Sequence, residues 1–272
     1  MPSAIYLSPH LDDAVLSCGG QIAQIVRAGQ VVRVVTVFAG DVPSTCDALG
    51  KCVANTAFVQ ELHTRWGLGP NPSVGRRAED RTALRILGAR ATHLPFPDCV
   101  YRLGRMGAPL YPTRDAIFGT VAEVEMPLID EVVRALRQLR VPRDARVILP
   151  LTAGHHVDHQ IVRAAGEQWC KTQAAGRSVQ IAYYEDYPYA EQPDEVAAAL
   201  DQDTFESELV ELGEDALAAK VAAIACYRSQ ISSFFADEAE MAARVRTYAE
   251  VVGSGQPAER LWHWQDREPR PT

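Results

Sequence analysis

Two short stretches of the chain concentrate the residue types that bind metals and move protons. The first is His10-Leu11-Asp12-Asp13, one imidazole and two carboxylates within four residues. The second is His155-His156-Val157-Asp158-His159. Of the 7 histidines in the chain, four (His10, His155, His156 and His159) lie in these two stretches. Nitrogen and oxygen donors at that density suit a divalent metal, which in a catalytic site takes three protein ligands and leaves a position open for water. The remaining carboxylates and imidazoles are then free to take a proton from that water or to support a developing oxyanion. Such parts suit hydrolysis of an amide. The competing reading of Asp12 and Asp13 is that they only cap a helix, since aspartate is a favoured N-cap.

Both stretches sit between an apolar run and a helical pattern. Residues 4–9 read as a short strand ending at Pro9, and Ala14, Val15, Leu16, Ile22, Ile25 and Val26 then repeat with helical spacing. Arg146–Leu151 is the matching strand before the second stretch, followed by Ile161, Val162, Ala165 and Trp169. Strands are expected at 4–9, 31–39, 91–96, 146–151 and 178–184, and helices at about 13–29, 54–66, 76–88, 120–140 and 158–173. This alternation predicts an α/β fold, a Rossmann-like, doubly wound, mostly parallel sheet with helices on both faces. In such sheets ligands bind beyond the carboxyl ends of strands where the strand order reverses. The first and fourth strands flank that crevice, so the two stretches should face each other. After about residue 185 the rhythm changes to a strand-like Thr204–Leu212, helices near 214–232 and 237–250, and a short strand at Arg260–Trp264. The expected organisation is a single domain over residues 1–272, with a core to about 184 and a small C-terminal α+β appendage over about 185–272. Residues 40–53, 67–75 and 98–117 lack periodicity and read as binding loops.

Pro9-His10-Leu11-Asp12-Asp13 with His156-Val157-Asp158-His159 resembles the paired motifs of the PIG-L/LmbE-like N-acetylglucosaminyl deacetylases. Arg76-Arg77-Ala78-Glu79, Pro95-Phe96-Pro97-Asp98, and Lys220 with Tyr227-Arg228-Ser229-Gln230 extend the resemblance over most of residues 3–232. The resemblance implies a zinc-dependent hydrolase that removes an N-acetyl or related N-acyl group from an amino sugar or its conjugate. Zinc, or another divalent transition metal, would be held by His10, Asp13 and His159. Asp12 would be the general base on metal-activated water, and His156 the electrophilic or acid partner, oriented by Asp158. Arg76 and Asp98 match positions that hold substrate hydroxyls or polar groups. The bland alternatives are an i,i+3 ion pair of Arg76 with Glu79 and a loop-capping role for Asp98. Relatives place a tyrosine two residues before the histidine of the second motif, whereas this chain has Gly154 there. His155 and Tyr101 are the replacements to consider.

Two other readings compete. Some relatives use the same architecture to add water to an unsaturated polycarboxylic acid, which would need a basic pocket from Arg76, Arg77 or Arg102. A non-catalytic nucleotide-binding α/β module would need a phosphate loop, and Gly19-Gly20 and Gly67-x-Gly69 do not form one. His63, His93 and His263 read as packed or surface residues, and the tyrosines of 183–189 read mainly as packing, with sugar stacking the alternative.

The net charge of −8 argues against a nucleic-acid partner. The N-terminus lacks a basic segment, and no apolar stretch approaches the roughly 20 residues of a membrane span. The expected setting is cytoplasmic, with a small-molecule substrate and with homo-oligomerisation left open. None of the 6 cysteines forms a CxxC pair, so a structural zinc site is not expected. Cys46 and Cys52 are the pair that would bridge in an oxidising setting.

Overall fold

The computed structural model describes residues 4–43, 56–141, 145–173, 179–200 and 205–265. Five parallel strands, β1 (Ala4–Ser8), β2 (Val32–Thr36), β3 (Arg90–His93), β4 (Arg146–Pro150) and β5 (Gln180–Tyr184), form the centre of one sheet. All five residues of β1 are buried, as expected for a central parallel strand covered on both faces. Because side chains alternate across a strand, Ala4 and Tyr6 enter one core layer while Ile5 and Leu7 enter the other. The first layer is roofed by α1 (Asp13–Arg27), α3 (Pro72–Leu87), α8 (Glu214–Ile224) and α10 (Glu238–Val252). The second is roofed by α5 (Met126–Leu136) and α6 (Val157–Gln173).

The strand order is β3-β2-β1-β4-β5-β7-β6, where β6 (Phe205–Glu211) and β7 (Ala258–Trp264) are antiparallel additions. The order reverses between β1 and β4, and this is the crevice at which the two motifs end. The C-terminal residues therefore extend the same sheet, with Trp262 and Leu261 of β7 opposite Tyr183 and Tyr184 of β5.

Several boundaries differ from the sequence reading for local reasons. Helix α3 begins at Pro72 rather than near 76, because a proline at the first helical position loses no hydrogen bond. The helix expected over 120–140 is confined to α5, preceded by one 3-10 turn at Glu123–Glu125 and started at Met126-Pro127. The helix expected over 214–232 breaks after Ile224 and resumes as α9 (Arg228–Phe234). Helix α2 (Ala57–Trp66) stands where expected, capped by Thr56 and closed by the left-handed Gly67. The short helices α4 (Arg114–Ile117) and α7 (Pro193–Ala199) were not anticipated. Cys46 and Cys52 lie outside the described residues.

Gly19 and Gly20 let α1 and α8 approach closely. A Cβ on Gly20 would sit 2.6 Å from Leu212 Cδ1, and one on Gly19 would sit 3.0 Å from Lys220 Cγ. The contact contains a buried ion pair: Lys220 Nζ lies 2.8 Å from Glu259 Oε1 and donates to the Ser17 carbonyl. Glu259 also accepts the Gly20 and Gln21 backbone N–H groups, each at 2.9 Å. Lys220 is thus a structural residue that ties α8 to α1 and β7. Removing one member of a buried pair strands the other charge, so Lys220→Ala should lose about 3–5 kcal/mol in urea unfolding. A loss below about 1 kcal/mol would show that the pair is solvated in solution.

Candidate active site

The chain turns from β1 into α1 through the first motif. The Ser8 hydroxyl accepts the Ala14 N–H at 3.0 Å and donates to the His10 carbonyl at 2.6 Å. Asp12 occupies the N-cap position of α1, yet its side chain makes no capping hydrogen bond. The carboxylate is instead turned into the crevice, which overturns the cap-only reading. Asp13 Oδ2 accepts the His10 backbone N–H at 2.7 Å.

The two motifs meet at that same oxygen. Asp13 Oδ2 lies 3.2 Å from His10 Nδ1 and 3.4 Å from His159 Nε2. Ligand atoms of His10, Asp13 and His159 all fall within 4.8 Å of one another. Metal–ligand bonds of roughly 2.1 Å in a tetrahedral shell place neighbouring donor atoms roughly 3.4 Å apart, so the spacing fits a divalent cation. The outer nitrogens of both imidazoles are also engaged. His10 Nε2 lies 2.9 Å from Asp158 Oδ2, and His159 Nδ1 lies 2.6 Å from Asp186 Oδ1. Such carboxylate–histidine pairs fix the ring orientation of metal-binding histidines.

The electrostatics point the same way. Burial opposes charge on His159, but Asp13 and Asp186 outweigh it and push its pKa up to about 9. Burial likewise opposes charge on His10, and is outweighed by Asp13, Asp98 and the hydrogen bond to Asp158. Asp13 is held well below the usual carboxylate range despite burial, by the two imidazoles. The pocket thus attracts positive charge to the space beside Asp13. Asp12 behaves differently: burial, reinforced by Asp13 against Arg76, raises it to about 6, a range suited to a group that takes and returns a proton. His156 is kept neutral by burial and by His10 and His159. Its Nδ1 accepts the Asp158 N–H at 3.2 Å, which leaves the hydrogen on Nε2.

That contact corrects one expectation. Asp158 orients His156 through its backbone, while its carboxylate holds His10. Arg76 is also settled: it is buried beside the site, 3.7 Å from Asp12 Oδ1 and 3.8 Å from Asp98 Oδ2, with its guanidinium 4.8 Å from the Trp66 ring centroid. Glu79 accepts from Ser229 instead, so the surface ion pair with Arg76 does not form. The Arg76 Nε is buried without a partner. Asp98 caps the loop, with Oδ1 accepting the Val100 N–H, and its Oδ2 faces Arg76 and His10.

These groups form the floor of a cavity of about 410 Å³. Much of its wall is apolar, interrupted by Glu61, Arg65, Thr113, Arg114, Gln230 and Ser233. Phe58, Leu62 and Trp66 form one stripe along α2, opposite Ile117, Phe118 and Phe234. Tyr189 completes the wall. The Gly154 backbone has φ +83°, and a Cβ there would lie 2.6 Å from Tyr189 Cγ. The tyrosine missing from the chain at 154 is matched by a ring that reaches the same place from beyond β5. Burial and the Asp13 and Asp12 charges raise the Tyr189 pKa, so it remains a hydrogen-bond donor. The two replacements considered earlier point elsewhere. Tyr101 hydroxyl pairs with His63 Nε2 at 2.7 Å, and His155 is exposed with Nδ1 on the Gly119 carbonyl at 3.0 Å.

Asp186 and Tyr189 lie in the 183–189 stretch whose tyrosines read mainly as packing, and no motif marks either as a site residue. Tyr183 and Tyr184 do pack, bonding Glu167 and the Leu7 carbonyl. His93 pairs with Asp80, and His263 lies on β7 beside Arg146 and Glu208. The three arginines considered for a polycarboxylate are committed to other partners. Arg77 bonds the Ala39 carbonyl and Asp41, Arg102 is committed to Glu125 and Asp158, and Arg76 faces two aspartates.

A Rossmann-like sheet with a histidine–aspartate metal centre at its switch point defines the class, and comparison with known proteins agrees. The family model described as GlcNAc-PI de-N-acetylase (PIG-L) matches residues 5–170. The chain belongs to this family and is an N-deacetylase with a site for a divalent metal. It is 28% identical over 246 residues to 2'-N-acetylparomamine deacetylase of Niallia circulans, covering 87% of this chain and 83% of that protein. A crystal structure of the zinc-inhibited form of teicoplanin deacetylase is similar over 98% of this chain and 100% of that one, with 27% identity and a TM-score of 0.80. The A40926 pseudoaglycone deacetylase is similar over 98% of each chain, with 26% identity and a TM-score of 0.67. No helix among the described residues is long and apolar enough to cross a membrane.

The close fit of Gly154 against Tyr189 is open to test. A side chain at 154 meets both a left-handed backbone, worth about 1–2 kcal/mol, and the ring itself. Gly154→Ala should therefore lower stability by at least that amount in thermal unfolding, and a neutral result would mean the ring is not seated there.

Proposed function

We propose that this N-deacetylase is a zinc enzyme that removes an acetyl or related acyl group from the nitrogen of an amino sugar bearing an apolar substituent. The observation that carries the proposal is Asp13 Oδ2 set between His10 Nδ1 and His159 Nε2 on the floor of a cavity whose wall is largely apolar. The donor set of two imidazoles and one carboxylate is a common zinc arrangement. A divalent cation held by His10, Asp13 and His159 would acidify water and polarise the amide carbonyl.

The chain's own residues supply the rest. Asp12 accepts the proton of the attacking water and returns it to the departing amine nitrogen, so that water and amide become carboxylic acid and amine, which part as carboxylate and ammonium. The Nε2–H of neutral His156 donates to the acyl oxygen as negative charge grows there, and the Tyr189 hydroxyl is a second donor from the Gly154 side. Each such donor is worth roughly 10²–10³ in rate. Arg76 and Asp98 bind sugar hydroxyls, the Arg76 Nη groups standing 3.7 and 3.8 Å from Asp12 and Asp98 at the cavity floor. The wall of Phe58, Leu62, Trp66, Ile117, Phe118 and Phe234 offers aromatic and aliphatic surface to a group beside the sugar. The proposal treats residues 1–272 as one deacetylase domain, a reading supported by the pairing of β7 with β5 inside the main sheet.

Amine release from N-acetylglucosaminides separates this reading from its rivals. The zinc-loaded enzyme should release amine, lose activity to a chelator and recover it with zinc. It should prefer aryl or alkyl glycosides over the methyl glycoside by tenfold or more in kcat/KM. No release from a broad panel of N-acyl sugars would sink the proposal. Loss of ultraviolet absorbance from an unsaturated polycarboxylate would favour the hydratase instead.

Site variants check the assignments separately. Asp13→Ala should abolish zinc binding. Asp12→Asn should retain zinc while kcat falls at least 10²-fold. Tyr189→Phe should lower kcat by roughly 10²-fold to 10³-fold with KM little changed. An unchanged kcat in Tyr189→Phe would remove Tyr189 from the mechanism.

A further inference from the structure

Behind His10 runs a buried polar chain that none of the assignments above uses. Asp158 is fully buried, and its two oxygens are divided between partners. Oδ2 faces His10 Nε2 at 2.9 Å and accepts the Cys99 N–H at 3.0 Å. Oδ1 lies 2.7 Å from Arg102 Nη2. Arg102 continues to Glu125, with Nε at 2.5 Å from Oε1 and Nη2 at 3.3 Å from Oε2. The Tyr111 hydroxyl donates to Glu125 Oε2 at 2.6 Å and accepts the Ala122 N–H at 2.9 Å. The Arg102 guanidinium is also stacked 4.9 Å from the Phe38 ring centroid.

Two unrelated demands meet in this chain. The planar Arg102 guanidinium is forked on Glu125, and its Nη2 stands as an ion pair against Asp158 Oδ1, which leaves Oδ2 for His10. The same fork, through Glu125 and Tyr111, ties down both ends of an irregular segment that carries Arg114, Ile117 and Phe118 into the cavity wall. We propose that Arg102, Glu125 and Tyr111 form a positioning brace that sets how tightly His10 holds the metal and fixes the wall that receives the substrate. Arg102 sits at the junction of the two roles, whereas the Tyr111 hydroxyl bonds only on the wall side, to Glu125 and the Ala122 N–H.

The proposal rests on His10 as a metal ligand, and the test keeps the two apart. Zinc affinity is measured by competition with a chromogenic chelator, alongside the visible spectrum of the cobalt-substituted protein and KM for an aryl N-acetylglucosaminide. Arg102→Lys supplies charge without the fork. It should weaken zinc binding 10–100-fold, shift the cobalt spectrum and raise KM. Tyr111→Phe should leave zinc affinity within about twofold of the parent and raise KM severalfold. Glu125→Gln is the second variant should Arg102→Lys not fold, with an expected loss in both readouts. Parent-like zinc affinity, cobalt spectrum and KM in a folded Glu125→Gln or Arg102→Lys would overturn the brace. Zinc binding retained by His10→Ala would instead overturn the ligand assignment on which it stands.

Discussion

Asp13 Oδ2 stands between an imidazole carried from the end of β1 and one carried from just beyond β4, and that shared oxygen joins the two halves of the parallel sheet. It does so in a crevice that also holds Asp12, Asp98, Asp158 and Asp186, with Arg76 and Arg102 set against them. Carboxylates crowded out of water repel one another and each loses solvation. The surrounding structure is arranged to meet that constraint. Every one of these groups faces an imidazole, a guanidinium or a backbone N–H, and the space beside Asp13 favours positive charge. The crevice exists because the strand order reverses there; its contents decide what enters.

The fold was largely legible because its signals are local. Apolar runs of strand length alternate with helical spacing, and this placed β1, β2, β4, β5, α1 and α6 close to where they stand. The central metal-type cluster was legible for a related reason. His10, Asp12 and Asp13 are adjacent in sequence, as are His156, Asp158 and His159, and the parallel sheet brings the two ends together. Partners supplied by distant segments were not. Asp186 follows a strand of tyrosines and carries no motif of its own, yet it holds His159 at 2.6 Å. The orientation of Asp158 toward His10 rather than His156 depends on Arg102 and Cys99, contributed by a segment without periodicity. Sequence spacing cannot show such a choice between two neighbouring imidazoles.

The cavity divides its work by element. Strand ends furnish the polar floor, where small errors in position matter and the backbone is held on two sides. Helix α2 and the 98–125 segment furnish the apolar wall, where shape matters more than exact angle. Arg76 at the floor faces two aspartates and Arg65 of the wall pairs with Glu61, so much of the cavity's positive charge is already matched. An uncharged ring against aromatic walls is the better complement.

Gly154 and Tyr189 belong to different loops, but the space between them admits only one side chain. Neither residue is free to vary alone. A larger residue at 154 is blocked while the ring is present, and losing the ring first would leave a hole over the metal centre. The pair is therefore one filled volume shared by two separate stretches of chain: whichever of them carries the side chain, the other must stay bare.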